Sequence, residues 1–391
     1  MKKIWLKFRE IFTPVKREEK SGSSRLLFID LFRAWAIIFM IETHIVNQFL
    51  SLTYSKMTFI HFLNFINGMV APSFLFITGF SFYISLSKKI DVLKTLKKIL
   101  FVWGIAYALH LPYYSLKKIL FELNPTQYLH FIQADVLHCM AIGWLMILLA
   151  KVFIKNEKFF LVFLWTAGLA FVLAAPFIWK IDFGKYLPLP VATYFNMKHG
   201  SLFPVFPWLG FMFAGCIAAH FFFKYKSHDT ENRFMRNLSF TGLGLFVISL
   251  LIFLVPFSFF GLKSEWGAKP YFFTARLGLA FIFLTLMFFY EKKYTIKSRI
   301  MLITSREALG IYVWHLMVMY SLMFFGKPLG DWFYKKFNLW QAALATLALL
   351  SLMFLTAGFW NTLKIRLPKL SRILFYGFWT FFLTFILVSP K

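Results

Sequence analysis

A chain of 391 residues that is 60% hydrophobic and only 15% charged, with a mean hydropathy of +0.68, is far more apolar than a soluble domain and leaves no room for a separate one. The formal charge of +27 does not make it a nucleic-acid binder, because its basic residues sit in loops between apolar spans rather than on one face. The two cysteines, Cys139 and Cys216, fall inside apolar runs, offer neither a disulfide framework nor metal-ligand spacing, and read as packing residues.

A bilayer core about 30 Å thick takes roughly 20 apolar residues per helical crossing. Such stretches recur at 26–50, 59–86, 99–114, 130–150, 159–178, 202–223, 238–261, 271–290, 300–325, 338–360 and 373–389. The expected fold is therefore an all-α, polytopic membrane bundle of about eleven transmembrane helices. Residues 1–25 form a basic segment with Trp5, Phe8 and Phe12 interleaved, resembling an interfacial amphipathic helix on anionic lipid. Residues 26–391 read as a single transmembrane domain, whose first span lacks a small-residue cleavage site and so acts as a signal anchor.

Loop charge sets the orientation. With the amino terminus in the cytoplasm, the loops on that side hold 29 Lys and Arg and those on the other side 12. An excess repeated at each turn has the sign the positive-inside rule demands, which points to a multi-pass protein of the inner (plasma) membrane with its carboxyl terminus outside.

Charged side chains inside a span are costly and usually face the bundle interior, so each is a functional candidate. The first span carries Asp30, Arg33, Glu42 and His44. At about 100° per residue, the eleven-residue step from Arg33 to His44 returns to within about 20°, so the two share a face. Asp30 lies about 60° away on that face and Asn47 about 40° to the other side, whereas Glu42 sits about 180° from it. The rise separates Arg33 from His44 by roughly 16 Å, comparable with an extended polar ligand held at two ends. Asp30 and Arg33, three residues apart, have the spacing of an ion pair. Simple helix packing would account for the same residues, and periodicity alone does not separate the two readings.

Further along, Asn64 and Asn67 precede a run with Pro72 and Gly79, Asp135 and His138 open the fourth span, Pro204 and Pro207-Trp208 the sixth, Arg276 lies early in the eighth, and Tyr312 and His315 lie in the ninth. Proline and glycine inside membrane helices often mark kinks beside a cavity.

Taken in order, Arg25, Asp30, Arg33, Met40 and His44, then Ala71-Pro72 to Gly79, then Asp135-Val-Leu-His138-Cys-Met-Ala-Ile-Gly143, then Phe203-Pro204-Val-Phe-Pro207-Trp208 to Gly215, then Leu309-Gly-Ile-Tyr312-Val-Trp-His315 resemble the heparan-alpha-glucosaminide N-acetyltransferase catalytic-domain family, within the transmembrane acyltransferase superfamily. The resemblance runs from about residue 25 to 325. It implies transfer of an acyl group, usually acetyl from acetyl-CoA or another acyl-CoA as co-substrate and without a metal, to a hydroxyl or amine of a sugar or lipid-linked glycan. Histidine can take the acceptor's proton, which makes His44 the candidate base, and a fixed cation such as Arg33 suits the donor's phosphates, with Asp30 orienting it. A lysosomal relative uses a histidine between its first two spans, so His61 competes with His44. Asn47, Asn67, Asp135, Arg276 and His315 complete the donor-binding or site-lining set. The chain departs from the family at Ala34, commonly glycine, and at Thr43, where many bacterial relatives carry aspartate. A secondary transporter or flippase for a sugar or lipid-linked sugar is the competing class, although no inverted repeat is visible. Membrane lipid is the expected surrounding, and the oligomeric state, monomer or homodimer, is left open.

Overall fold

The structure, a computed structural model, describes residues 26–87, 90–112, 115–254, 266–294, 299–321 and 328–388. The basic segment 1–25, with Arg25, lies outside the described residues, as do the distal ends of the crossings predicted at 238–261 and 300–325.

Each predicted crossing carries a helix. In chain order these are α1 (Leu27–Phe49), α2 (Val70–Leu86), α3 (Val92–Leu109), α4 (Val136–Phe153), α5 (Glu157–Ile178), α6 (Val205–Lys226), α7 (Glu231–Leu254), α8 (Pro270–Lys293), α9 (Ala308–Tyr320), α10 (Leu339–Arg366) and α11 (Pro368–Val388). Among the described residues, eight helical runs are long and apolar enough to span a membrane: Thr58–Leu86, which joins a short helix to α2, then α4 to α8, α10 and α11. The other three expected crossings fall on α1, which carries Asp30, Arg33 and Glu42, on α3, which carries Lys94, Lys97 and Lys98, and on the 13-residue α9. This is an all-α membrane helix bundle.

Helix starts follow capping chemistry more closely than hydropathy. The stretch predicted as a span from 130 is divided, with a short helix Pro125–Ile132 ending before α4. Asp135 accepts from the Leu137 and His138 backbone N–H groups and so fixes the first turn of α4. Asp91 does the same for α3, which begins well before the predicted position 99.

The chain forms two compact units, one of residues 1–67, 112–123 and 294–391, the other of 68–111 and 124–293. In the first, α1 packs against the short helix Arg299–Arg306 and against α9, α10 and Thr58–Asn67. Phe28, Phe32, Ile37, Ile41 and Ile45 of α1 are buried there. A smaller cluster of Val46, Leu50, Ile60 and Ala342 closes the far end of α1. Backbone bonds from Lys335 N to Gln48 O (2.9 Å), Phe337 N to Phe49 O (2.8 Å) and Ser51 N to Phe337 O (2.9 Å) tie the entry of α10 to that end.

In the second unit α6 is the central helix, packed against α2 on one side and α5 on another, while α7 and α8 pair along their length. Gly79 and Gly215 set the α2/α6 crossing: a Cβ on either would collide with a backbone carbonyl of the other helix, Met212 O or Phe76 O. Small residues let the two backbones approach, as helix pairs in lipid commonly do. Phe76, Phe80, Phe211, Phe213 and Phe222 fill the surrounding core.

Candidate active site

In the first unit, α1 presents Asp30, Arg33 and His44 toward Arg299–Arg306 and α9. Asp30 is 4% exposed, and its Oδ1 accepts a 2.6 Å hydrogen bond from the Ser305 hydroxyl. The Arg33 guanidinium stands 4.0 Å from the same oxygen, so the expected ion pair is present as a long contact beside the shorter bond from Ser305. One charge-assisted hydrogen bond to a buried carboxylate is the stronger interaction.

Fourteen residues further along α1, the half-buried His44 ring has its Nδ1 3.0 Å from the Tyr320 hydroxyl, at the last turn of α9. The His44 and His315 rings stand 5.2 Å apart between centroids, and Tyr312 meets His315 edge-on at 5.6 Å. His315 is fully buried, and its Nδ1–H donates to the Ile311 carbonyl at 2.9 Å. That bond fixes the neutral tautomer with the lone pair on Nε2, an atom shielded from solvent with no hydrogen-bond partner among the described residues. Two imidazoles and a phenol thus share one end of the α1/α9 interface.

Four candidates lie elsewhere. Asn47 is exposed, and its carbonyl accepts from the Lys335 ammonium at 2.7 Å. His61 is exposed on Thr58–Asn67 and joins none of these groups. Asn67 is buried beside Glu42, on the opposite face of α1 from His44. Neither the Glu42 carboxylate nor the Asn67 amide makes a well-formed hydrogen bond among the described residues. In the second unit, Arg276 is 7% exposed and lies over the Phe272 ring at 5.5 Å. A Cβ at Gly68 would come within 2.7 Å of its Nη2, so the glycine makes room for the guanidinium.

Asp135 and His138 form a tight pair in the second unit. His138 Nδ1 is 2.8 Å from Asp135 Oδ1 and 3.3 Å from the Asp135 backbone N. The shorter, charge-assisted contact assigns the Nδ1 proton to the carboxylate and leaves the lone pair on Nε2. Around the imidazole stand Tyr107, edge-on at 4.4 Å, His110 at 6.0 Å and Tyr194 at 5.9 Å. The Tyr107 and Tyr194 hydroxyls are hydrogen-bonded at 2.9 Å, and burial followed by that bond raises the Tyr194 phenol above its ordinary range. Thr193 and Ser201 hold the Tyr194 loop against the entry of α4 through Ile132 O and Ala134 N.

The family model described as heparan-alpha-glucosaminide N-acetyltransferase, catalytic, matches residues 25–256, well over half of the chain. The chain belongs to this family. No curated protein matches it in sequence. The match takes in Asp30, Arg33, His44 and Asp135 but ends before Ser305, His315 and Tyr320, so the groups facing α1 come from the part of this chain beyond the matched residues. Sequence reasoning missed Tyr320 and Ser305. A hydroxyl five residues after His315, and one two residues before an acidic helix cap, are the only local signals they leave. Among the described residues no group of three or more His, Cys, Asp and Glu side chains could hold a metal ion.

Proposed function

We propose that this protein moves an acetyl or similar acyl group from acyl-CoA to a sugar hydroxyl or amine of a cell-envelope glycan or lipid-linked sugar, in the inner membrane, with its amino terminus in the cytoplasm. The observation that carries the reading is the His44–Tyr320 contact of 3.0 Å beside His315, on a helix the family model includes.

In this mechanism the Tyr320 oxygen accepts Nδ1–H of His44, which leaves Nε2 with its lone pair. His44 takes the proton of the acceptor's O–H or N–H as that atom bonds to the thioester carbonyl carbon. The C–S bond then breaks and the thiolate recovers the proton from His44, giving free thiol and the acyl ester or amide. Arg33, with a side chain 26% exposed, is the fixed cation assigned to the donor's phosphates. Asp30, held by Ser305, fixes the α1 turn that carries Arg33. His315, buried and bonded through Nδ1 to the Ile311 carbonyl, packs against the His44 ring and limits its movement.

The test is thiol release from acetyl-CoA by the full chain in nanodiscs, supplied with a panel of amino sugars and glycans. His44→Ala should lose turnover while retaining its melting behaviour, and transfer at the wild-type rate would remove His44 from the role. Sugar counterflow in liposomes without acyl transfer would assign the chain to the transporters instead. Cysteines placed singly in the loops at 154–156 and 180–200 should label from the cytoplasmic and outer faces respectively, and the reverse pattern would invert the topology.

A further inference from the structure

The segment 328–338, which leads into α10, is clamped over the end of the first unit where His44 and Tyr320 meet. A Cβ at Gly330 would stand 3.1 Å from Gln48 Nε2 and 3.2 Å from the Met319 carbonyl oxygen. This glycine therefore sits between a residue about one turn after His44 on α1 and the residue before Tyr320 on α9. The Gln48 amide donates to the Gly330 carbonyl at 3.2 Å, and the Phe333 and Phe337 rings meet Phe49 edge-on at 5.6 and 5.1 Å. All of these residues belong to the first unit.

Two lysines lie on this segment. Lys335 turns the chain at φ 55°, a conformation that a residue with a Cβ adopts only at a cost. Its backbone N–H donates to the Gln48 carbonyl at 2.9 Å, and its ammonium donates to the Asn47 carbonyl at 2.7 Å, 6.0 Å from the centre of the Tyr334 ring. The Lys336 ammonium donates to the Trp332 carbonyl at 2.7 Å. An ammonium has three N–H donors, so these bonds occupy one on each lysine and leave two on each for a ligand. Lys336, Trp332 and Tyr334 are exposed, as is Asp331, the one acid of the segment. Asn47 follows His44 by three residues, about 4.5 Å of rise and about 60° around α1. The ammonium on the Asn47 carbonyl and the imidazole of His44 are thus separated on the scale of one sugar ring. Lysine is a compact point charge suited to phosphate, whereas the fork of arginine matches a planar carboxylate, and the segment holds no arginine.

We propose that Lys335 and Lys336 bind a phosphate carried on the acceptor sugar, with the Trp332 and Tyr334 rings beside it, so that a hydroxyl or amine of that sugar reaches His44. The proposal rests on the acyltransferase reading and narrows its acceptor to a phosphorylated sugar, through residues beyond the family match.

The probes are glucosamine 1-phosphate and glucosamine, titrated onto the full chain in phosphatidylcholine nanodiscs. The phosphate should raise affinity at least tenfold, and this preference should weaken with salt. Lys336→Gln, which leaves the α1 end capped, should lower affinity for the 1-phosphate about tenfold, as for one lost charge-assisted contact, and leave that for glucosamine unchanged. Lys335→Arg should keep most of the preference. Equal affinity for the two sugars, or no binding of the 1-phosphate, would overturn the subsite. So would glutamine variants of both lysines that melt earlier yet keep the wild-type preference, because the lysines would then be caps alone. Glucuronic acid bound as tightly as the 1-phosphate would overturn the phosphate assignment, and so would Lys336-dependent retention of phosphatidylglycerol without sugar-phosphate binding. A dodecyl phosphodiester of glucosamine that binds more tightly than the free 1-phosphate keeps the subsite and assigns it a lipid-linked acceptor, and the reverse order keeps it for a soluble one. Thiol release from acetyl-CoA separates the two claims. Equal KM for glucosamine and its 1-phosphate keeps the acyltransferase reading and removes the subsite. Lys336-dependent binding of the 1-phosphate with no thiol release for any sugar keeps the subsite and removes that reading.

Discussion

Replacing Tyr320 by phenylalanine deletes one oxygen and leaves the ring that meets His44 edge-on at 5.6 Å. The lost interaction is the 3.0 Å contact to Nδ1. While His44 is neutral, such a bond contributes about 0.5–1.5 kcal/mol, and once the ring has taken the acceptor's proton it contributes about 1.5–3 kcal/mol. Only the difference accelerates the reaction, so the expected loss is about 1–2 kcal/mol of transition-state stabilisation, or roughly five- to thirtyfold in kcat. KM for acetyl-CoA should hold, because the His44 that Tyr320 meets lies roughly 16 Å along α1 from Arg33, the residue assigned to the donor's phosphates. The assay is thiol release under saturating donor and acceptor, with a melting curve to show that the variant folds. A kcat equal to wild type would refute the base role of His44 through Tyr320, and a changed KM with unchanged kcat would make Tyr320 a binding group instead.

Asp135→Ala removes two backbone caps and the His138 partner at once; with about 1 kcal/mol for the cap and about 1–3 kcal/mol for the stranded imidazole, a loss of about 2–4 kcal/mol should appear as a clear drop in melting temperature, and an unchanged transition would contradict it. Gly215→Ala puts a methyl against the Phe76 carbonyl, which backbone atoms relieve only by moving two helices, so a destabilisation of about 1–3 kcal/mol is expected, and a neutral melting curve would show that the crossing is looser than described. On the loop after α5, His199 donates to Asp182 at 2.9 Å, and that bond holds the Asp182 carboxyl below its usual value. A depressed carboxyl contributes stability that is complete above the unfolded value near 4 and is lost as pH falls through the lower folded value. Amide exchange at Gly184, whose N–H the same carboxylate accepts, should stay protected from neutral pH down to about 4 and open below it; equal protection in Asp182→Asn would remove the carboxylate from that role.

The positions of the helices were readable in the sequence because a twenty-residue apolar run averages over local detail. Their ends were not, since Asp91 and Asp135 start helices by accepting backbone N–H groups, which hydropathy does not register. The face shared by Arg33 and His44 is a local periodic property of α1 and was readable too. Ser305, which bonds Asp30, and Tyr320, which meets His44, lie more than 270 residues away in sequence, and no periodicity within one helix records such a contact. The angle that separated Glu42 from His44 also brought Glu42 to the side where Asn67 is buried, a pairing that needed the position of Thr58–Asn67. Asn47 shares the His44 face yet stays exposed, because the α1 end is tied through backbone to the chain entering α10. The Asp135–His138 pair was open to a closer reading: an acid three residues before a histidine at a helix start has capping-box spacing.

The contact of α2 and α6 through Gly79 and Gly215 has a consequence for biogenesis. α2 enters the bilayer while the chain that will cover its glycine face is still unsynthesised, and α3, α4 and α5 are threaded before the mate arrives. Until then that face can meet only lipid tails or a transient neighbour, and it becomes a permanent joint when α6 inserts. Once closed, backbone against backbone, the pair has no slack for one helix to slide along the other. It behaves as a single stiff spar, and motion that substrate entry demands within that unit falls to helices joined by longer side chains.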